Sequence, residues 1–170
     1  GRDMTRRTLR YVRLILAGVT VTSPEGPALY VISADKVILT LADGTVNTFD
    51  DQTALTVDED TISSCIYSKD DLSINGNGAL TVNGNVSNGI VCKNDLIVAG
   101  GNISVTAVND AIRGKDSVLV LNGTLTLTAG GDGISSTSTD DGKGVVTIAG
   151  GNISIQTGGG AADAVSSGTV

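Results

Sequence analysis

Histidine and tryptophan are absent from this 170-residue chain, proline and cysteine occur twice each, and aromatic residues make up 2% of it. Each shortage closes a class of structure or chemistry. Without histidine, Ser–His and Cys–His nucleophile pairs are excluded. With so few rings, the core must consist of Ile, Val and Leu in thin repeated layers. No apolar run approaches the roughly 18 residues of a membrane-spanning helix, so no membrane span is expected. The apolar stretch 11–18 contains Arg13 and runs on into alternating Val19, Thr20, Val21 and Thr22, which reads as strand rather than as a signal segment.

Charge is unevenly spread. The formal net charge is −7, yet residues 1–13 hold five Arg and one Asp, leaving six basic against 17 acidic residues in 14–170. An acidic body of this kind argues against a nucleic-acid partner. It suits a cation-binding or extracellular protein.

What the chain has in abundance is glycine, 23 residues of it, and repetition. The stretch Val108-Asn109-Asp110-Ala111-Ile112 returns as Gly131-Asp132-Gly133-Ile134 and again as Ala162-Asp163-Ala164-Val165. Asp110 to Asp132 is 22 residues, as is Ile90 to Ile112; Ile66 to Ile90 is 24, and Ile134 to Val165 is 31, which leaves room for one inserted loop. A period in the low twenties marks a solenoid. Each repeat carries three short runs in which apolar residues alternate with Ser, Thr, Asn or Gln, the period-two pattern of strands. They fall at 66–68, 90–92, 112–114 and 134–136, then at 72–74, 96–98, 118–120 and 146–148, then at 80–82, 103–105, 125–127 and 153–155. The expected fold is all-β: a parallel β-helix with three short strands per coil of about 22 residues and no helix. It is a single domain over 1–170, with a basic arm at 1–11, irregular first coils at 12–64 and regular coils at 65–170. Within 12–64, residues 12–22 are expected as one strand, 29–32 and 36–41 as two more, and 43–64 as a surface excursion with a short strand in it. The sequence stops as another coil would begin, so truncation is expected. Cys65 and Cys92 fall one coil apart and three residues out of phase, too far for a disulfide; two free thiols are expected, with Cys92 pointing inward.

Stacking the repeats places Asn88, Asp110, Asp132 and Asp163 in one column at a corner, with Asn109 beside it. At strand spacing, neighbouring carboxylates repel by roughly 1–3.5 kcal/mol per pair. Calcium would relieve this by taking oxygens from carboxylates, amides and carbonyls; alternatively, Asp is simply a good turn residue. A second acidic column holds Asp70, Asp71, Asp95 and Asp116, with Lys69, Lys93 and Lys115 interleaved, and reads either as a second metal column or as a salt-bridged edge. Asp140 and Asp141, in the inserted loop, are possible further ligands. Outward strand positions carry hydroxyls and amides able to bind sugar, with Tyr67, Arg113 and Lys115 as candidate carbohydrate contacts and Tyr67 the one ring on a regular outward position. Arg113, beside Asp110, also permits a calcium-dependent, pectate-lyase-like reading.

The strings 66–85, 108–117 and 128–136 resemble bacterial cell-surface carbohydrate-binding domain proteins with a polysaccharide-lyase-like β-helix. The resemblance covers roughly residues 12–165. It implies a right-handed parallel β-helix that binds calcium, cellulose and polygalacturonate without lyase activity, secreted and held at the cell surface. The expectation is therefore a non-catalytic calcium-binding module for acidic polysaccharide or cellulose. The alternative is a matrix or filament subunit assembling head to tail. Ala111, where the family more often has Gly, is expected to stiffen one corner.

Overall fold

Alternation along each strand and repetition between strands together dictate a stack of coils, and the computed structural model, which describes residues 10–168, has that form. The first coil comprises β1 (Tyr11–Leu16), β2 (Thr20–Ser23) and β3 (Leu29–Val31). The second comprises β4 (Lys36–Leu41), β5 (Val46–Asp51), a hairpin of β6 (Leu55–Val57) and β7 (Asp60–Ile62), and β8 (Ser64–Ser68). Then follow β9 (Asp71–Gly76), β10 (Ala79–Gly84) and β11 (Asn88–Cys92), and after them β12 (Asp95–Val98), β13 (Asn102–Ala107) and β14 (Ile112–Gly114). The fifth coil is β15 (Ser117–Val120), β16 (Thr124–Ala129) and β17 (Ile134–Ser136), and the sixth is β18 (Val145–Ile148), β19 (Asn152–Thr157) and β20 (Val165–Ser167). Corresponding strands pair in parallel into three six-stranded sheets: β1-β4-β9-β12-β15-β18, β2-β5-β10-β13-β16-β19 and β3-β8-β11-β14-β17-β20. No described residue is helical.

The register is the one the repeats predict. Ile66, Ile90, Ile112 and Ile134 stack in the third sheet, Leu72, Leu96 and Val118 in the first, and Leu80, Ile103 and Leu125 in the second. All are 0–1% exposed, and each such burial contributes about 1.5–3 kcal/mol. The advance is 22 residues only in the middle coils; over the six turns it averages about 25.

The first coils are more regular than their sequence. Gly18, at φ +92°, breaks the expected strand 12–22 into β1 and β2, because only glycine takes that conformation freely. Within 43–64, β5 is a full member of the second sheet. Its Asn47 occupies the position of Leu80 and is fully buried, which interrupts the apolar pattern. Its side-chain oxygen accepts the N–H groups of Gly18 and Val19 at 2.8 and 3.0 Å, and its amide donates to Thr45 Oγ1 and the Ala79 carbonyl. A buried polar group so satisfied is tolerated. Only the β6–β7 hairpin leaves the coil. Most of the expected basic arm lies outside the described residues. Arg10 already donates to Asp35 and Ser33, and Tyr11 pairs with Lys36.

Both cysteines are free and buried, Cys92 in register with Ser68. Burial pushes both thiols up to about 12, so neither acts as a nucleophile at neutral pH.

Candidate functional site

The acidic corner is a hydrogen-bonded ladder. Asn88 Oδ1 accepts the Asp110 N–H at 3.1 Å and the Asn109 amide at 3.0 Å. Asp110 Oδ1 accepts the Asp132 N–H, and Asp132 Oδ1 the Asp163 N–H, each at 2.8 Å. Each side chain thus satisfies the backbone of the next coil, which offsets the repulsion between carboxylates. The other oxygen of Asp110 accepts Arg113 Nε and Nη2 at 2.9 and 2.5 Å and the Ser135 hydroxyl at 3.2 Å. Asp110 therefore has no oxygen left unengaged. Asp132 Oδ2 and the Asp163 carboxylate accept no hydrogen bond among the described residues. No three His, Cys, Asp or Glu side chains among the described residues form a group able to hold a metal ion. Ala111 fits its corner fully buried; a Cβ at the equivalent Gly133 would stand 2.3 Å from Ile155 Cγ2, so the local side-chain packing decides where glycine is required.

The second acidic column is also engaged, but not by the interleaved lysines. Asp70 accepts the Ala34 N–H, Asp71 the Asp95 N–H and Asp95 the Ser117 hydroxyl. Desolvation by burial pushes the Asp71 carboxyl up. Asp116 pairs at 3.0 Å with Lys143 of the inserted loop, whose Asp140 and Asp141 are exposed. Lys69, Lys93 and Lys115 form no ion pair among the described residues. Their place along the third sheet aligns them with a different set of side chains.

On the side of that sheet away from the core the register stacks Tyr30, Tyr67, Val91, Arg113 and Ser135 in one column, in which Tyr30, Tyr67 and Arg113 are partly exposed and Val91 and Ser135 are buried. The β6–β7 hairpin overhangs its first coils. Asp58 and Glu59 at the tip take φ of 49° and 69°, the two left-handed residues of a tight hairpin turn. Ile62 is buried at the base, and Gly26 leaves room for Leu55, since a Cβ there would lie 2.9 Å from the Leu55 Cβ. Between hairpin and sheet lies a groove of about 550 Å³. The hairpin contributes Asp58, Asp60 and Thr61 to its lining, and the stacked coils contribute Ser64, Tyr67, Lys69, Asn88, Lys93 and Arg113.

Besides Val91 and the hairpin stretch, sequence reasoning missed two members of this groove. Tyr30 packs edge-on against Tyr67 with ring centroids 5.6 Å apart, and Lys69 Nζ lies 6.0 Å from the Tyr30 centroid. The hairpin stretches the Tyr30–Tyr67 step to 37 residues, outside the period, although Leu29-Tyr30 and Ile66-Tyr67 are a visible match. The second is Ser64, in register with Asn88 and therefore the first member of the corner column. It is 2% exposed, and its hydroxyl has no hydrogen-bond partner. Lys115 follows Arg113 by two residues on the same coil but is not part of the groove lining. Burial, then Tyr30 and Asp60, pushes the Tyr67 hydroxyl up, so it remains a neutral donor.

A second groove, of about 570 Å³, runs along the corner between the first and second sheets and is lined by glycines with Asn77, Asn102, Asn122 and Asn152. No charged side chain or aromatic ring lines it.

A family model described as "Carbohydrate-binding domain-containing protein" matches residues 5–170. A protein of that description from Acetivibrio thermocellus is 42% identical over 97 residues, 55% of this chain and 34% of its own length. The chain thus aligns with about a third of that relative. A solved structure, the polysaccharide lyase-like protein from C. thermocellum in a gadolinium derivative, superposes with a TM-score of 0.85 at 35% identity, covering 94% of this chain and 74% of the other.

Proposed function

Because the chain belongs to the carbohydrate-binding domain-containing family, we propose that it is a non-catalytic module holding acidic polysaccharide on the outer face of its third sheet. The observation that carries this reading is the groove in which Tyr67 stands beside Lys69, Lys93 and Arg113, on a chain otherwise net acidic. Cations stacked coil over coil, at about 4.8 Å, suit an extended polymer. A carboxylate-bearing sugar gains charge-assisted hydrogen bonds that a neutral glucan lacks, so cellulose is the weaker partner. Arg113 is tied to Asp110 by two N–H donors, which weighs for binding rather than elimination chemistry. Such polymers lie outside the cell, and the module acts there.

Calcium belongs to this reading at one place. Asp110 does not fit a cation, since both its oxygens are engaged. The open Oδ2 of Asp132 and the Asp163 carboxylate supply oxygens of the kind calcium takes, with carbonyls or water needed to complete its set of six to eight. Titrating the protein with calcium while following thermal unfolding tests this: a concentration-dependent rise in Tm, lost in Asp132→Asn, is expected, and an unchanged Tm rules calcium out.

The binding reading is tested by affinity electrophoresis in gels containing polygalacturonate, with a neutral glucan as comparison. Retardation by polygalacturonate that weakens with added salt is expected. Free migration in both gels would overturn the reading.

A further inference from the structure

The faces of the stack differ in what they turn outward. On the second sheet one outward column is hydroxylic in every coil, from Thr20, Thr48 and Thr81 through Ser104 and Thr126 to Ser154. On the first sheet the corresponding column is Arg13, Ile38, Ser73, Ile97, Leu119 and Thr147. Ile38, Ile97 and Leu119 are partly exposed there, and Ile15 and Leu121 beside them are 64% and 46% exposed. Single exposed aliphatic residues are ordinary, but several grouped on one flat sheet mark a contact surface.

The pattern on this face is its own complement. A two-fold axis laid along β9, through Asp71 and Ser73, reverses the order of the coils and keeps the position along each strand. Ile38 then falls opposite Ile97, Ile15 opposite Leu121, and Lys36 opposite Asp95, since Lys36, Asp71 and Asp95 follow one another in a single column. Ser73, on the axis, is small and 8% exposed, so two such faces can close over it. Asp71, also on the axis, has Lys36 of its own chain in register beside it as a counter-charge. Arg13 falls opposite Leu119, and its Nε donates to Thr40 Oγ1 at 2.9 Å, which leaves its methylene stem to cover the leucine.

We propose that the chain pairs with a second copy of itself through the outer face of the first sheet, coils running in opposite directions, with Ile38 packed on Ile97, Ile15 on Leu121 and Lys36 paired with Asp95 across the contact. Five coils at about 4.8 Å, with strands about 17 Å long, give each face on the order of 400 Å². That is about half a standard interface, so the dimer is weak, with a Kd on the order of 10–100 μM. A two-fold contact uses each face once and stops at two copies, unlike assembly through the coil ends. The third sheet and its groove stay uncovered in both copies.

Sedimentation equilibrium of the whole chain between about 1 and about 300 μM tests this. A monomer–dimer equilibrium with no larger species is expected. Ile97→Lys is expected to weaken pairing about tenfold or more, with an unchanged melting temperature in dilute solution. Lys36→Glu and Asp95→Lys are each expected to stay monomeric, because like charges then face each other. An equimolar mixture of those two variants is expected to pair again, since opposite charges meet between unlike copies. A monomer at every concentration would overturn the proposal, as would growth beyond the dimer. A dimer indifferent to Ile97→Lys would overturn the choice of face. A mixture no more associated than its two components would overturn the reversed order of coils.

Discussion

Two grooves of nearly equal size, about 550 and about 570 Å³, lie on the same scaffold of stacked coils. One is roofed by a hairpin and is lined by two tyrosine rings, three cations and two carboxylates. The other is an open trough of glycine and asparagine at a repeating corner. The backbone beneath both is the same parallel stack, so neither the fold nor the volume separates them. The side chains that the core does not need separate them. Binding is assigned to positions the repeat leaves free to vary.

The comparison breaks most completely through what the grooves share. Ile90 is fully buried in the third sheet between Ile66 and Ile112. Ile90→Ala is expected to lower stability by about 2–5 kcal/mol, read from chemical denaturation. A loss below 1 kcal/mol would mean that the coils do not support one another.

A change at the ladder is expected to be smaller and one-sided. Asp110→Ala strips the Asp132 N–H, Arg113 and Ser135 of their shared acceptor. It should lower stability by about 1–3 kcal/mol and weaken polygalacturonate binding by releasing Arg113. Asp110→Asn retains an acceptor for the Asp132 N–H and should recover part of the stability.

Side chains lining each groove should sharpen the contrast without touching the fold. Tyr67→Ala is expected to reduce polygalacturonate affinity about three- to tenfold, while Asn122→Ala in the corner groove leaves it unchanged; retardation coefficients in affinity gels measure both. Equal losses would place the polymer across both grooves.

The smallest effect is expected at Asp51, which closes the strand from which the hairpin departs and accepts the N–H groups of Asn85 and Val86 at 2.7 and 3.3 Å. Burial pushes its carboxyl above the ordinary value of 3.8. The folded protein therefore holds this proton more tightly than the unfolded chain, and the associated stability, full below 3.8, is lost as pH rises through the folded value. Asp51→Asn carries no charge to bury. Relative to the native protein it should gain stability as pH rises from acid toward neutrality, with little difference at pH 3, as followed by thermal unfolding across pH.

The coils follow from the chain's own pattern, because each coil buries its aliphatic residues against their equivalents, so the period of Ile66, Ile90, Ile112 and Ile134 is the register. It also set the corner column, since the same spacing stacks Asn88, Asp110 and Asp132 at equivalent places in successive coils. Tertiary structure alone decided what those positions do. The acidic column became a ladder to the next coil's N–H groups, which no spacing reveals, because a carboxylate's partners depend on side-chain reach across the stack. Lys69 and Lys93 turned from expected partners of aspartate into part of the groove lining. Tyr30 joined Tyr67 only when the hairpin between them was lifted out of the repeat, and that same hairpin enclosed Ser64. A periodic core is written in local pattern, but a groove is made where the pattern is interrupted, and the chain must fold before the two sides of an interruption meet.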